Sequence, residues 1–163
     1  MLFTLRTDTV PHHKGQVAFP GGARNDDDTD LLHTALREAQ EEIGLHPRQV
    51  EILGALDDVL TISSFQITPW VGRIDWPLDL VSSEQETAEI FTVPLSRLLD
   101  PALCRLEESV HDGYRYYPVH HFSGGRHLIW GVTGHILAGF LELAYGWRHP
   151  DLDASRVQWR QEA

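Results

Sequence analysis

The sequence predicts an α/β fold, a sheet covered by helices on its opposite faces. Three observations predict it. Short β-compatible runs and amphipathic helical runs mix along one chain of 163 residues, with no internal repeat and no low-complexity linker. Hydrophobic residues make up 42% and charged residues 23%, a balance that can bury one core and excludes disorder as a general description. The alternation of strands and helices is irregular, which argues against a purely parallel doubly wound sheet. The length suits one domain spanning residues 1–163, with a polar tail after about residue 150 lying at the periphery.

Residues 2–6 and 16–19 read as short strands separated by Pro11 and Gly15, and Pro20-Gly21-Gly22 ends the second. An acidic connector over 25–30 follows, in which Asp28, Thr29 or Asp30 can cap a helix. The apolar spacing then predicts that helix over 31–43, stopped by Gly44 and Pro47. Residues 50–60 and 65–75 look like two strands joined by 61–64, with further strands over 89–93 and 114–122 and a short helix over 95–99. Over 133–145, Ile136, Leu137, Phe140, Leu141 and Ala144 recur at helical spacing and predict a second main helix packed on the sheet.

Charge and cysteine content narrow the function. Thirteen Lys and Arg against 24 Asp and Glu leave a net charge of −11, a field that repels nucleic-acid backbones and anionic lipid surfaces. No nucleic-acid partner and no membrane partner is therefore expected, and a polyanionic substrate would need local basic residues or bound cations. Cys104 is the single cysteine, so no intrachain disulfide or Cys-rich zinc site can form; a buried small hydrophobe in a cytoplasmic protein is the simpler expectation. Residues 1–7 carry no signal-peptide pattern, and the apolar stretch 127–147 includes His135 and Glu142, which favours a soluble helix over a membrane span.

The most informative stretch is Arg37-Glu38-Ala39-Gln40-Glu41-Glu42-Ile43-Gly44-Leu45. Wound at about 100° per residue, Glu38, Glu41 and Glu42 share an arc of about 100°, able to converge on one point. Leu32, Ala35, Leu36, Ala39 and Ile43 fall beside them, at about 60° to 160° from Glu38, as a separate core face. Three like charges so close repel one another unless a cation offsets them. Carboxylate oxygens suit Mg²⁺, Mn²⁺ or Ca²⁺, and Mg²⁺ is often shared between carboxylates and substrate phosphates.

Preceded by Phe19-Pro20-Gly21-Gly22, this stretch resembles the box of the Nudix hydrolases, matching its final nine residues at every specified position. The resemblance implies an α/β/α sandwich on a mixed sheet and cleavage of a diphosphate linked to another moiety. It implies that Glu38, Glu41 and Glu42, with the Gly22 carbonyl, hold Mg²⁺ or Mn²⁺, and that Arg37 orients a glutamate. Glu84, Glu86 and Glu89 are candidate bases outside the box, and Glu86 is the choice, by its place before the next strand. The box entry departs from the pattern. Eight residues rather than seven separate Asp28 from Arg37, which leaves the partner of Arg37 open.

Upstream, Leu2-Phe3-Thr4 and the run from Gly15 to Gly22 resemble the element that precedes the box in coenzyme A pyrophosphatases, although Arg6 and Pro11 depart from that pattern, Pro11 standing where a basic residue is expected. That resemblance implies hydrolysis of CoA or its derivatives to 3′,5′-ADP and 4′-phosphopantetheine. The alternatives are a Nudix enzyme for ADP-ribose, NADH or another nucleoside diphosphate derivative, and an inactive Nudix-like binding module. Lys14 and Arg24 flank the upstream segment and, with Gly21 and Gly22, are its substrate-binding candidates. Trp70, Trp76 and Trp130 suit either adenine stacking or the core. The box also begins close to Met1, which leads to the expectation of a sheet lacking an N-terminal edge strand, or replacing it through contacts in a homodimer.

Overall fold

The computed structural model describes residues 1–9, 13–61, 64–111 and 114–157, which divide into Leu2–Thr92 and a second unit of Met1 with the residues from Val93 onward. Within the first unit the chain order is β1 (Leu2–Arg6), β2 (Val17–Ala18), α1 (Leu31–Ile43), β3 (Val50–Ala55), β4 (Val59–Leu60), β5 (Gln66–Ile67), β6 (Trp70–Ile74) and β7 (Thr87–Thr92). β1 is the middle strand of an antiparallel sheet, with β2 on one side and β7 on the other. The first strand is thus flanked on both sides, and its Phe3 and Thr4 are buried.

The long strands expected over 50–60 and 65–75 each break in two, because pairing is set by the partner. β3 pairs with β6, and β4 with β5. Among the described residues every strand ladder is antiparallel, so the parallel pairing of a mixed sheet is not among them. α1 occupies the residues that its apolar spacing predicts. Asp30 caps it by accepting from the His33 N–H at 2.8 Å, and Gly44, at φ 70°, ends it in the left-handed conformation that glycine adopts without strain. Its inner face buries Ala39 and Ile43 against Leu2, Val50, Ile74 and Ile90.

The second unit holds α2 (Leu95–Leu98), the antiparallel hairpin of β8 (Cys104–His111) and β9 (Tyr114–Phe122), and α3 (Gly131–Tyr145). β8 has no counterpart in the sequence reading. Its alternation of buried Cys104 and half-buried Leu106 with exposed Arg105 and Glu107 stops at a register shift between Glu107 and Ser109, which erases the period-two signal. α3 packs on β9 through Gly134, where a Cβ would stand 2.6 Å from the His120 carbonyl oxygen. Among the described residues no helix is long and apolar enough to cross a membrane. Cys104 is buried, as its type suggests, and burial pushes its thiol up to about 11. The residues described beyond Pro150 are largely exposed, and 158–163 of the expected tail lie outside the described residues.

Candidate active site

The site is built on α1 and the segments that reach it. Ahead of the helix, a turn closed by the Asp28 N–H on the Asn25 carbonyl, at 3.0 Å, folds the acidic connector back on itself. Asp28 is only 3% exposed. It accepts from the Asn25 N–H and the Thr34 hydroxyl, each at 2.9 Å. Arg37 donates to both of its oxygens, from Nε to Oδ1 and from Nη2 to Oδ2, again at 2.9 Å. The question left by the displaced acidic position is thereby answered. Asp28 is the carboxylate partner of Arg37, nine positions away, and the connector turn absorbs the extra residue before the helix begins.

Arg37 has three further acceptors. Its Nη1 donates to Glu38 Oε1 and Glu41 Oε2, both at 2.9 Å, and its Nη2 to the Ala23 carbonyl at 3.1 Å. Five bonds match the five N–H donors of a guanidinium, so this side chain is saturated. The Asp28 bond raises Arg37 above its ordinary pKa, and Arg37 holds Asp28 well below the usual carboxylate range. Both groups are locked in their charged forms.

Glu42 faces a different environment. It is buried, and its Oε2 accepts from the Gly21 N–H at 3.1 Å, while Arg6 Nη1 stands 3.9 Å from its Oε1. Burial pushes this carboxyl up to about 7, against the lowering by the Gly21 N–H and the Arg6 charge; the charges of Glu38 and Glu86 add to the rise. Backbone bonds hold this end of the helix, from the Val81 N–H to the Ile43 carbonyl at 3.1 Å and from the Ser83 N–H to the Glu42 carbonyl at 2.9 Å. Gly22 lies against Glu38, where a Cβ would come within 2.5 Å of the carboxyl carbon. Any other residue would displace that carboxylate.

The structure therefore gathers Arg37, Glu38 and Glu41 in one network and sets Glu42 on the Gly21 N–H. Among the described residues no group of three or more His, Cys, Asp and Glu side chains is arranged to hold a metal ion. Glu38 and Glu41 share the Arg37 guanidinium, and the charge of Glu38 also acts on Glu42. Glu86 is exposed in the turn ahead of β7, near enough for its charge to act on Glu42. Lys14 is exposed, and Arg24 donates from Nη2 to the Asp28 carbonyl at 3.0 Å, so it braces the connector. Trp76 and Trp130 are exposed, and Trp130 stacks on His121 at 5.8 Å in the second unit. Sequence reasoning left the partner of Arg37 open and noted Arg6 only as a departure from the upstream pattern, not as a site residue. The available signal for Arg6 was a cation closing an otherwise uncharged strand.

Comparison with known proteins bears on the family of the chain. The NUDIX domain model matches residues 1–136. A Cronobacter sakazakii protein named Uncharacterized Nudix hydrolase NudL is 42% identical over 131 residues, 80% of this chain and 62% of that protein. The Citrobacter koseri protein of the same name is 38% identical over 148 residues, 84% of this chain and 71% of that one. The chain thus spans about two thirds of the length of these relatives. A solved Nudix hydrolase from M. smegmatis, RenU, aligns at 29% identity with a TM-score of 0.45, over 55% of this chain and 56% of that one.

Proposed function

The chain belongs to the Nudix family, and from that premise we propose that it hydrolyses the diphosphate bond of coenzyme A or its derivatives with Mg²⁺ or Mn²⁺, releasing 3′,5′-ADP and (acyl-)4′-phosphopantetheine. The observation that supports this reading is that α1 carries Glu38, Glu41 and Glu42 on consecutive turns, with Gly22 packed directly against the Glu38 carboxylate. The donor set fits such an ion, since Glu38, Glu41, Glu42 and the Gly22 carbonyl offer only hard oxygens. A bound cation would offset the diphosphate charge and lower the pKa of a coordinated water.

The chain's own residues supply the rest. Arg37, fixed by Asp28, orients Glu38 and Glu41, and the Gly21 N–H orients Glu42. Glu86 is the proposed base that takes the proton of the attacking water, and Lys14, exposed beside the upstream segment, meets the substrate phosphates with Gly21, Gly22 and Arg24. The CoA assignment rests on the upstream resemblance over 2–4 and 15–22.

The test is to incubate the purified protein with CoA and Mg²⁺, Mn²⁺ or EDTA, separate the products chromatographically, and run Glu41→Gln beside it. Metal-dependent release of 3′,5′-ADP, lost in the variant, is expected. No product with any metal, from protein folded by circular dichroism, overturns the CoA assignment and turns the assay to ADP-ribose and NADH. Tight CoA binding without turnover identifies a binding module instead.

A further inference from the structure

We propose that Arg6 is a further direct contact to the reacting diphosphate, a substrate-positioning cation set beside the carboxylate helix; this rests on the hydrolytic reading above and adds a phosphate contact to those of Lys14 and Arg24. The arginines around the box differ in how their donors are used. Arg37 has five acceptors for its five donors, and Arg24 is bonded to the connector backbone. Arg6 differs from both. Its Nε is buried with no hydrogen-bond partner, and its Nη1 stops 3.9 Å from Glu42 Oε1, beyond hydrogen-bond length.

A buried guanidinium N–H without an acceptor is costly, and native structures leave few such groups. The position is not one of strand fraying. The Arg6 backbone N–H donates to the Gln16 carbonyl at 3.0 Å, and the residue pairs with Thr87 across β1 and β7 at a register shift that follows Leu5. The strand is anchored and the side chain, 25% exposed, keeps donors open next to Glu42. A guanidinium fork donates two parallel charged bonds to a carboxylate or a phosphate group, and a diphosphate substrate supplies the phosphate. In a chain of net charge −11, such an anion also needs a cation close by.

The experiment measures binding of methylenediphosphonate, a diphosphate that cannot be hydrolysed, by calorimetry in Mg²⁺, together with kcat and KM for CoA, in the intact chain and in Arg6→Gln and Arg6→Lys. Arg6→Gln is expected to weaken methylenediphosphonate by roughly 10- to 100-fold, the worth of one or two charged hydrogen bonds. KM should rise in step while kcat changes less, and Arg6→Lys, which keeps charge but lacks the fork, should recover part of the affinity. Wild-type affinity and KM in folded Arg6→Gln overturn the proposal, as does an intact chain that fails to bind methylenediphosphonate. Should Arg6→Gln not fold, Arg6→Lys decides, fivefold or greater weakening supporting the contact and unchanged affinity refuting it. Arg6-dependent binding without turnover of CoA, ADP-ribose or NADH would sink the hydrolytic reading and leave the anion contact standing.

Discussion

Leu2–Thr92 and the unit from Val93 onward both bury ionisable groups, but in opposite states. In the first, Asp28 and Arg37 are held as a charged pair because every strong donor and acceptor they present is matched. In the second, His120 is 7% exposed with a partnerless Nδ1, and its ring lies 6.0 Å from Phe122 and 6.2 Å from Trp147. Burial pushes His120 down to about 4, with the charges of His135, His149 and His121 adding to the fall. His149 accepts from the Asp151 N–H at Nδ1, so its Nε2 carries the proton and donates to the Cys104 carbonyl at 2.9 Å. Burial alone does not decide a charge. A buried ion persists where hydrogen bonds replace its water, and elsewhere the group is held neutral. Glu42, with one backbone donor and a distant arginine, stands between these cases.

The largest effect is expected from Glu41→Gln, which should lower metal-dependent turnover by about 100-fold or more. Its melting temperature should stay close to that of the parent, since the side chain is 60% exposed; a large fall would show that Glu41 holds the fold rather than the chemistry. Acidification comes next. Between the ordinary histidine value of 6.5 and about 4, the unfolded chain takes up a proton that buried His120 refuses. The stability it contributes is full above pH 6.5 and is lost as pH falls toward 4, by up to about 3 kcal/mol. Hydrogen exchange should show β9 and α3 losing protection over that range before α1 does, and simultaneous loss would erase the distinction between the units.

Gly22→Ala sharpens the contrast at smaller cost. The added Cβ meets only the end of the Glu38 side chain, so the fold should survive with little change in melting temperature while turnover falls about tenfold, near 1.4 kcal/mol. Wild-type activity would remove Gly22 from the site. The smallest effect is expected from Asp30→Ala, which deletes the α1 cap and should cost about 1 kcal/mol in urea denaturation.

α1 was legible to the residue because its apolar spacing, its capping Asp30 and its Gly44 stop all act within a few positions. The sheet was less so. β8 is hidden by Glu107, Glu108 and a register shift, and the runs over 50–60 and 65–75 are divided by which partner each half finds. At the candidate site, Glu38, Glu41 and Glu42 could be singled out by type and spacing, and Glu86 only from its place before the next strand. The partner of Arg37 could not, because counting along the chain does not register a connector that turns back at Asn25.

By itself, then, the amino-acid order determined a capped helix carrying an acidic face beside an apolar one, since i to i+4 bonds and caps are local interactions. The tertiary structure alone decided that Arg37 is saturated, that Arg6 keeps a buried donor open beside Glu42, and that His120 of β9 stays neutral. Those properties depend on which water is removed from a group and which polar atoms replace it, and the replacements come from residues distant in the chain.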